Sequence, residues 1–109
     1  LIGLFSQFNI LKQNAVQKIS YLFVLSLDCG EYYINQTQNL QREIEQHYLG
    51  KKPETNNKNP QLVWSEKMTG EDSDLQKQVE HIRAMYKQDP DGMLHRLQSR
   101  LPLGGIIWG

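Results

Sequence analysis

The residue types that most often carry catalysis or bind metals are few and widely separated in this sequence. Cys29 is the only cysteine among the 109 residues, so neither an intrachain disulfide nor a zinc site built from several cysteines can form within it. The three histidines, His47, His81 and His95, show no H-E-x-x-H spacing. The spacing of these side chains therefore indicates no zinc chemistry.

Positive charge is the other feature that could serve a function, because Lys and Arg bind phosphate groups. Lys plus Arg number 12 and Asp plus Glu number 12, so the formal net charge is zero. This balance removes the usual electrostatic signature of a nucleic-acid-binding protein. A basic surface would require folding to bring six residues to one side: Lys51, Lys52, Arg83, Lys87, Arg96 and Arg100. If these residues scatter, a protein partner is the better prediction.

The elements that must position these side chains begin with a predicted β-hairpin. The run 19–27 is rich in β-branched and aromatic residues and predicts a strand, and a second strand is predicted over 31–36. Gly30 between them can adopt the positive φ that a hairpin loop requires. A competing interpretation joins residues 1–18 to the first strand in one long helix, which would give an all-α bundle.

After Thr37 the apolar period changes from two residues to about 3.6, which predicts a helix over 38–49. A third strand is predicted over 61–66, with Leu62 and Trp64 on one side and Val63 on the other. Further helices are predicted over 73–88, opened by a Ser73–Gln76 capping box, and over 90–101, with Asp89 as N-cap. The helix predicted over 73–88 has an apolar stripe that indicates packing against the core, formed by Leu75, Val79, Ile82 and Tyr86.

The order and spacing of these segments resemble the GIY-YIG nuclease family, whose core is a short hairpin, a helix, a third strand and further helices. The resemblance covers about residues 19–85. It implies an α/β (α+β) fold in a single domain, 1–109, with its core at 19–88. The matching segments are Tyr21-Leu22-Phe23 at GIY, Tyr33-Ile34-Asn35 at YIG, Thr37-Gln38-Asn39-Leu40 at T-x-N-L, His47 with Leu49-Gly50-Lys51-Lys52 at H-x-x-G-K, and Pro60 to Glu66 at the third strand.

The resemblance also implies that several reactive groups of the family are replaced in this chain. The family cuts phosphodiesters with a tyrosine of the first motif, the YIG tyrosine, a helix arginine, often a histidine, and a metal-binding glutamate. The first tyrosine falls on Phe23, the arginine on Glu43 and the glutamate near Gln78. The YIG tyrosine and the histidine are retained as Tyr33 and His47.

Phosphodiester hydrolysis builds negative charge on the phosphoryl oxygens, which an arginine or a metal ion must neutralise. Glu43 puts a negative charge where the family has a positive one, and Phe23 has no hydroxyl to orient a water. Losing one such electrostatic donor costs about 3 kcal/mol, or roughly 10²–10³ in rate. The chain is therefore expected to bind rather than cleave.

Three functions remain open at this point. The first is a catalytically degenerate binding module for protein or nucleic acid. The second is a divergent endonuclease that uses Tyr33 and His47, a relocated Glu80 or Glu66, and Mg²⁺ or Mn²⁺. The third is a structural homodimer. Four cations are the predicted binding residues: Arg42, Lys51, Lys52 and Arg83.

The two ends of the chain are apolar in different ways. Residues 1–18 have helical spacing and predict an amphipathic extension that covers the sheet or contacts a partner; they are too short and polar to span a membrane and lack the pattern of a signal peptide. Residues 89–109 predict a helix and an apolar tail that folds back or adds a strand to another chain. A protein partner or a homodimer in the cytoplasm is the expectation, without a metal or cofactor unless the chain is active.

Overall fold

Three antiparallel strands form the centre of the molecule. The structure, a computed structural model, describes residues 18–99. The strands lie in the order β2-β1-β3, with both neighbouring pairs antiparallel. The elements in chain order are β1 (Lys18–Ser26), β2 (Tyr32–Thr37), α1 (Leu40–Tyr48), β3 (Gln61–Gly70), α2 (Asp72–Gln88) and α3 (Met93–Ser99). The predicted α+β fold with a three-stranded antiparallel sheet is confirmed, and the all-α alternative is wrong.

The β1–β2 hairpin closes as its loop residues predict. Gly30 has a φ of +82°, which a side chain would make costly. The Leu27 N–H donates to the Glu31 carbonyl at 2.9 Å, and the ladder beyond it pairs Phe23 with Asn35. Each of the two hairpin strands differs from its predicted bounds by one residue at each end.

β1 is buried on both faces because it is the central strand. Leu22 and Val24 face α2 and α3, where they pack in one cluster with Ile34, Val79, Ile82, Met93 and Leu97. Phe23 and Leu25 point to the other face and pack with Ile44 of α1. These four residues of β1 are 0% exposed, which explains why the strand is a continuous apolar run and lacks strict alternation.

β3 contains a bulge that overturns the predicted division of its side chains. Val24 pairs with Trp64 and Leu25 with Leu62, which leaves Val63 as the extra residue. Val63 and Trp64 both pack against the α2 and α3 cluster. Leu62 lies with α1 in an apolar groove, so the prediction that Leu62 and Trp64 share a side was wrong. β3 also continues past the predicted end at 66 to Gly70, because β1 begins early enough to pair with it.

The ends of α2 and α3 also differ from the predictions. Glu71 stands at the N-cap of α2 without a side-chain hydrogen bond, and Gln76 donates to Glu80 instead, so the predicted capping box is wrong. Asp89 is the C-cap of α2. Its carboxylate accepts the Gly92 N–H at 3.1 Å, and this turn delays the start of α3 to Met93, three residues after the predicted start at 90.

Several predicted features lie outside the described residues. These are the amphipathic helix before Lys18, the residues of the predicted last helix after Ser99 and the apolar tail. Across residues 18–99, no helix is long and apolar enough to cross a membrane.

Candidate functional site

Five positions that the sequence analysis singled out come together on the α1 side of the sheet. Phe23, Tyr33 and Asn35 have the same strand parity, and Glu43 and His47 are one helical turn apart on α1. The rings of Tyr33 and His47 lie 5.1 Å apart, and the Phe23 ring lies 6.1 Å from Tyr33 and 5.9 Å from His47. We call these five residues and the groups that bind them the α1 cluster.

His47 is the centre of the α1 cluster and is 1% exposed. Its Nε2 lies 3.2 Å from Oε2 of Glu43, and its Nδ1 lies 2.6 Å from Oγ1 of Thr55. A carboxylate only accepts, so Nε2 carries a proton, and in the neutral ring Nδ1 accepts the Thr55 hydroxyl. Burial lowers the pKa of His47, against the opposing effect of Glu43. Both ring nitrogens are therefore engaged within the protein.

Glu43 is bound from two sides. Its Oε2 also lies 3.3 Å from Nζ of Lys52, and its side chain is 20% exposed. The ion pair gives the carboxylate a fixed partner next to the buried imidazole. The position that the family resemblance assigns to a cation is thus held by an anion in a network with His47 and Lys52.

Tyr33 is the other residue that matches a catalytic position of the resembled family, and its hydroxyl is also hydrogen-bonded. It donates to Oε2 of Glu54 at 3.3 Å and accepts from Nδ2 of Asn35 at 2.9 Å. Burial raises the pKa of Tyr33, and the nearby carboxylate of Glu54 raises it further. The phenol is therefore held in its neutral form and is a poor source of a tyrosinate.

Sequence reasoning missed two members of the α1 cluster, Glu54 and Thr55. Both belong to the 51–60 loop, which has no apolar face, yet Thr55 is 0% exposed. The loop turns inward through backbone conformations with positive φ at Gly50, Asn57 and Asn59, which glycine and asparagine adopt most easily. One threonine within a polar loop carries no periodic signal that could have identified it.

The structure does not bring the predicted metal-binding candidates to the α1 cluster. Gln78 lies on α2, which packs against the opposite face of the sheet. Glu66 pairs with Leu22 in the register and so shares that opposite face, and Glu80 accepts from Gln76 and Arg83. Over the described part of the chain, no group of three or more His, Cys, Asp or Glu side chains is arranged to hold a metal ion.

The predicted binding cations are divided between the two faces. Lys52 is paired with Glu43 on the α1 side, and Arg42 and Lys51 are exposed near the two ends of α1. Arg83 lies on α2 and donates to the Ile34 carbonyl at 2.9 and 3.2 Å. Of the wider basic set, Lys87 lies on α2, Arg96 pairs with Asp89 at 3.7 Å, and Arg100 lies outside the described residues. The candidate cations within residues 18–99 are therefore divided between the two faces of the sheet and do not all converge on one side.

The chemistry of the α1 cluster is that of a satisfied polar network. Its histidine and its tyrosine each bind a carboxylate, and within residues 18–99 no buried side-chain nitrogen or oxygen lacks a hydrogen-bond partner. Comparison with known proteins found no matching protein family, curated protein or solved structure. The geometry of the site is thus the basis for a functional proposal.

Proposed function

We propose that this chain is a GIY-YIG-like domain that has lost phosphodiester cleavage and acts as a binding module. The observation that carries the proposal is the environment of Glu43. In the alignment by motif, Glu43 takes the position of the family's arginine, and its carboxylate is bound by His47 and Lys52. An anion there repels the negative charge that develops on a phosphoryl group, where the reaction needs a cation.

Two further groups support the loss of cleavage. Phe23 is 0% exposed and carries no hydroxyl, so it can neither orient nor deprotonate a water. Tyr33 keeps its hydroxyl, but burial raises the pKa of Tyr33, which opposes formation of the tyrosinate. The retained residues, Tyr33 and His47, then serve the packing and hydrogen bonding of the α1 cluster.

A protein is the better partner class on charge. The chain has zero net charge, and its described cations are divided between the α1 side and the α2 side. A nucleic acid would require several Lys or Arg side chains along one face to release counterions. No such stripe exists within residues 18–99 among the candidates, which favours a protein over a nucleic acid as the partner.

The test of lost cleavage is a nicking assay on supercoiled plasmid with Mg²⁺ or Mn²⁺, run beside a gel-shift assay with duplex and single-stranded DNA and RNA. We expect no nicking, and no retention of nucleic acid at physiological salt. The variants are Tyr33→Phe and, as a matched control that keeps the site hydroxyl, Tyr21→Phe. Nicking that Tyr33→Phe abolishes and Tyr21→Phe preserves would overturn the proposal in favour of a divergent endonuclease.

A further inference from the structure

The two edges of the sheet are treated differently by the rest of the domain. On β2, the residues whose backbone points away from β1 are each engaged by a side chain. The Tyr32 N–H donates to Oη of Tyr86 at 3.3 Å, the Ile34 carbonyl accepts from Arg83, and the Gln36 N–H donates to Oδ1 of Asn35 at 2.8 Å. These contacts prevent another strand from pairing with β2.

Among contacts within residues 18–99, side chains engage the outer backbone edge of β3 near its start. There the Leu62 N–H donates to Oη of Tyr48 and the Val63 carbonyl accepts from Gln98, both at 3.4 Å. Beyond the bulge, Trp64, Glu66 and Met68 make the ladder bonds to β1, so the backbone of the residues between them points outward. These outward residues are Ser65, Lys67 and Thr69.

The backbone N–H and C=O groups of Ser65, Lys67 and Thr69 receive no hydrogen bond from any side chain or loop of residues 18–99. All three residues are exposed. They form a straight run of about 13 Å at the strand rise of about 3.3 Å per residue. A run of that length can accept an additional strand, because main-chain hydrogen bonds supply the affinity in this mode of recognition.

We propose that the segment Ser65–Thr69 accepts an extended segment of a partner protein as a fourth strand, with a carboxylate of that segment opposite Lys67 and apolar side chains opposite Trp64 and Met68. The proposal deepens the proposed binding function and rests on it. Lys67 lies at the centre of this run and is exposed, whereas Trp64 and Met68 are half-buried and face α2 and α3. One face of the added strand thus meets a cation, and the other meets Trp64 and Met68 with Glu66 between them.

The charge of Lys67 also decides against a second copy of this chain. In the symmetric antiparallel register centred on Lys67, the two ammonium groups would stand directly opposite each other, and like charges in that position are destabilising. A lysine in the middle of an edge strand is a common device against self-association. The same lysine attracts an acidic strand, so it selects a partner of different sequence.

The test uses the acetylated heptapeptide Thr-Thr-Val-Glu-Thr-Thr-Val, which in antiparallel register sets its Glu opposite Lys67 and its Val residues opposite Met68 and Trp64. Amide hydrogen exchange is followed by NMR on the full chain. At millimolar peptide we expect slower exchange at Ser65, Lys67 and Thr69 and no change at Ile34 on β2. A peptide N-methylated at the pairing amides should have no effect.

Charge reversal supplies the second measurement. Lys67→Glu is expected to weaken binding of the Glu peptide about tenfold, as expected for replacing an attractive cross-strand pair by a repulsive one. A peptide in which Lys replaces the Glu should recover binding to the Lys67→Glu variant.

Four results would overturn the proposal. The first is equal binding of the N-methylated peptide, and the second is unchanged hydrogen exchange at the three amides when the peptide is added. The third is protection of these amides in the free chain that rises with protein concentration, which would identify a second copy as the occupant. The fourth is protection of these amides that is lost when residues 100–109 are deleted, which would identify an occupant from the same chain. Plasmid nicking, by contrast, would refute the loss of cleavage and leave strand addition standing, so the two failures are distinguishable.

Discussion

The hydrogen bond between Thr55 and His47 gives the sharpest test of how the α1 cluster is held together. The two atoms lie 2.6 Å apart, and the residues are 0% and 1% exposed. Thr55→Val keeps the shape of the side chain and removes the hydroxyl, so Nδ1 of His47 loses the donor that lies beside it in a buried site. Leaving a buried acceptor unsatisfied costs about 1–3 kcal/mol.

We therefore expect Thr55→Val to lower the free energy of unfolding by about 2 kcal/mol, measured by urea denaturation at unchanged m. For a domain of this size, each 1 kcal/mol lowers Tm by about 4–8 °C. Thr69→Val is the matched control, because Thr69 is exposed on the edge of β3. Its effect should stay within about 0.5 kcal/mol.

A double-mutant cycle isolates the pair. His47→Phe keeps a ring between Phe23 and Tyr33 and removes the acceptor, so Thr55→Val should cost about 1 kcal/mol less in that background. If Thr55→Val instead matches the wild-type stability within about 0.5 kcal/mol, the hydroxyl does not satisfy the imidazole and the account of the α1 cluster is wrong.

Three further predictions concern the pH dependence of stability, the glycine that precedes the 51–60 loop, and the contacts of Arg83 at the edge of β2. Because burial lowers the pKa of His47 below its ordinary 6.5, the unfolded chain takes up a proton at higher pH than the folded chain does. The free energy of unfolding in urea should therefore fall as pH drops through and below that value. The stability of His47→Gln should fall less over the same range, and an equal slope of stability against pH in the two proteins would contradict this. Gly50→Ala, at φ +76°, should cost about the ~1–2 kcal/mol of a left-handed alanine, because the new Cβ would stand 2.9 Å from only the end of the exposed Asn56 side chain, which can move aside. Gly30→Ala, at φ +82°, meets nothing within 4 Å and should cost about the same. A much larger loss at Gly50 than at Gly30 in thermal denaturation would contradict this. Arg83→Met should lower the free energy of unfolding in urea by about 1 kcal/mol, a value discounted for partial exposure, because the Ile34 carbonyl loses both hydrogen bonds from the guanidinium. Arg83→Lys should recover part of this loss. A Met variant as stable as the wild type would show that water replaces the guanidinium.

The elements could be predicted from the sequence wherever one period dominates. The run from Ile19 to Leu27 and the stripe from Leu75 to Tyr86 gave the central strand and α2, since each pattern reflects burial that the fold then supplies. The bulge at Val63 could not be predicted, because it is an adjustment of register between β1 and β3 and leaves no mark in composition. The capping box predicted at Ser73 was wrong because a local motif competes with other hydrogen-bond partners that the fold brings near, and Gln76 bonds to Glu80.

The candidate site was predictable in its strand and helix members only. Tyr33, Glu43 and His47 follow from strand parity and helical spacing once the motifs are aligned. Thr55 and Glu54 depend on the path of a ten-residue loop, which is decided by tertiary contacts with His47 and Tyr33. Proximity of distant loop residues is a property of the folded chain that single-sequence patterns do not encode.

The strand order β2-β1-β3 has a consequence for how the chain is assembled during synthesis. Ser26 pairs with Tyr32 inside the hairpin, whereas Lys18 pairs with Gly70 across most of the described sequence. Local pairings form before distant ones, because closing a long loop costs entropy before any contact repays it. While a ribosome is still extending the chain, β1 therefore keeps one edge unpaired until β3 emerges, and its continuous apolar run stays available to a chaperone during that time.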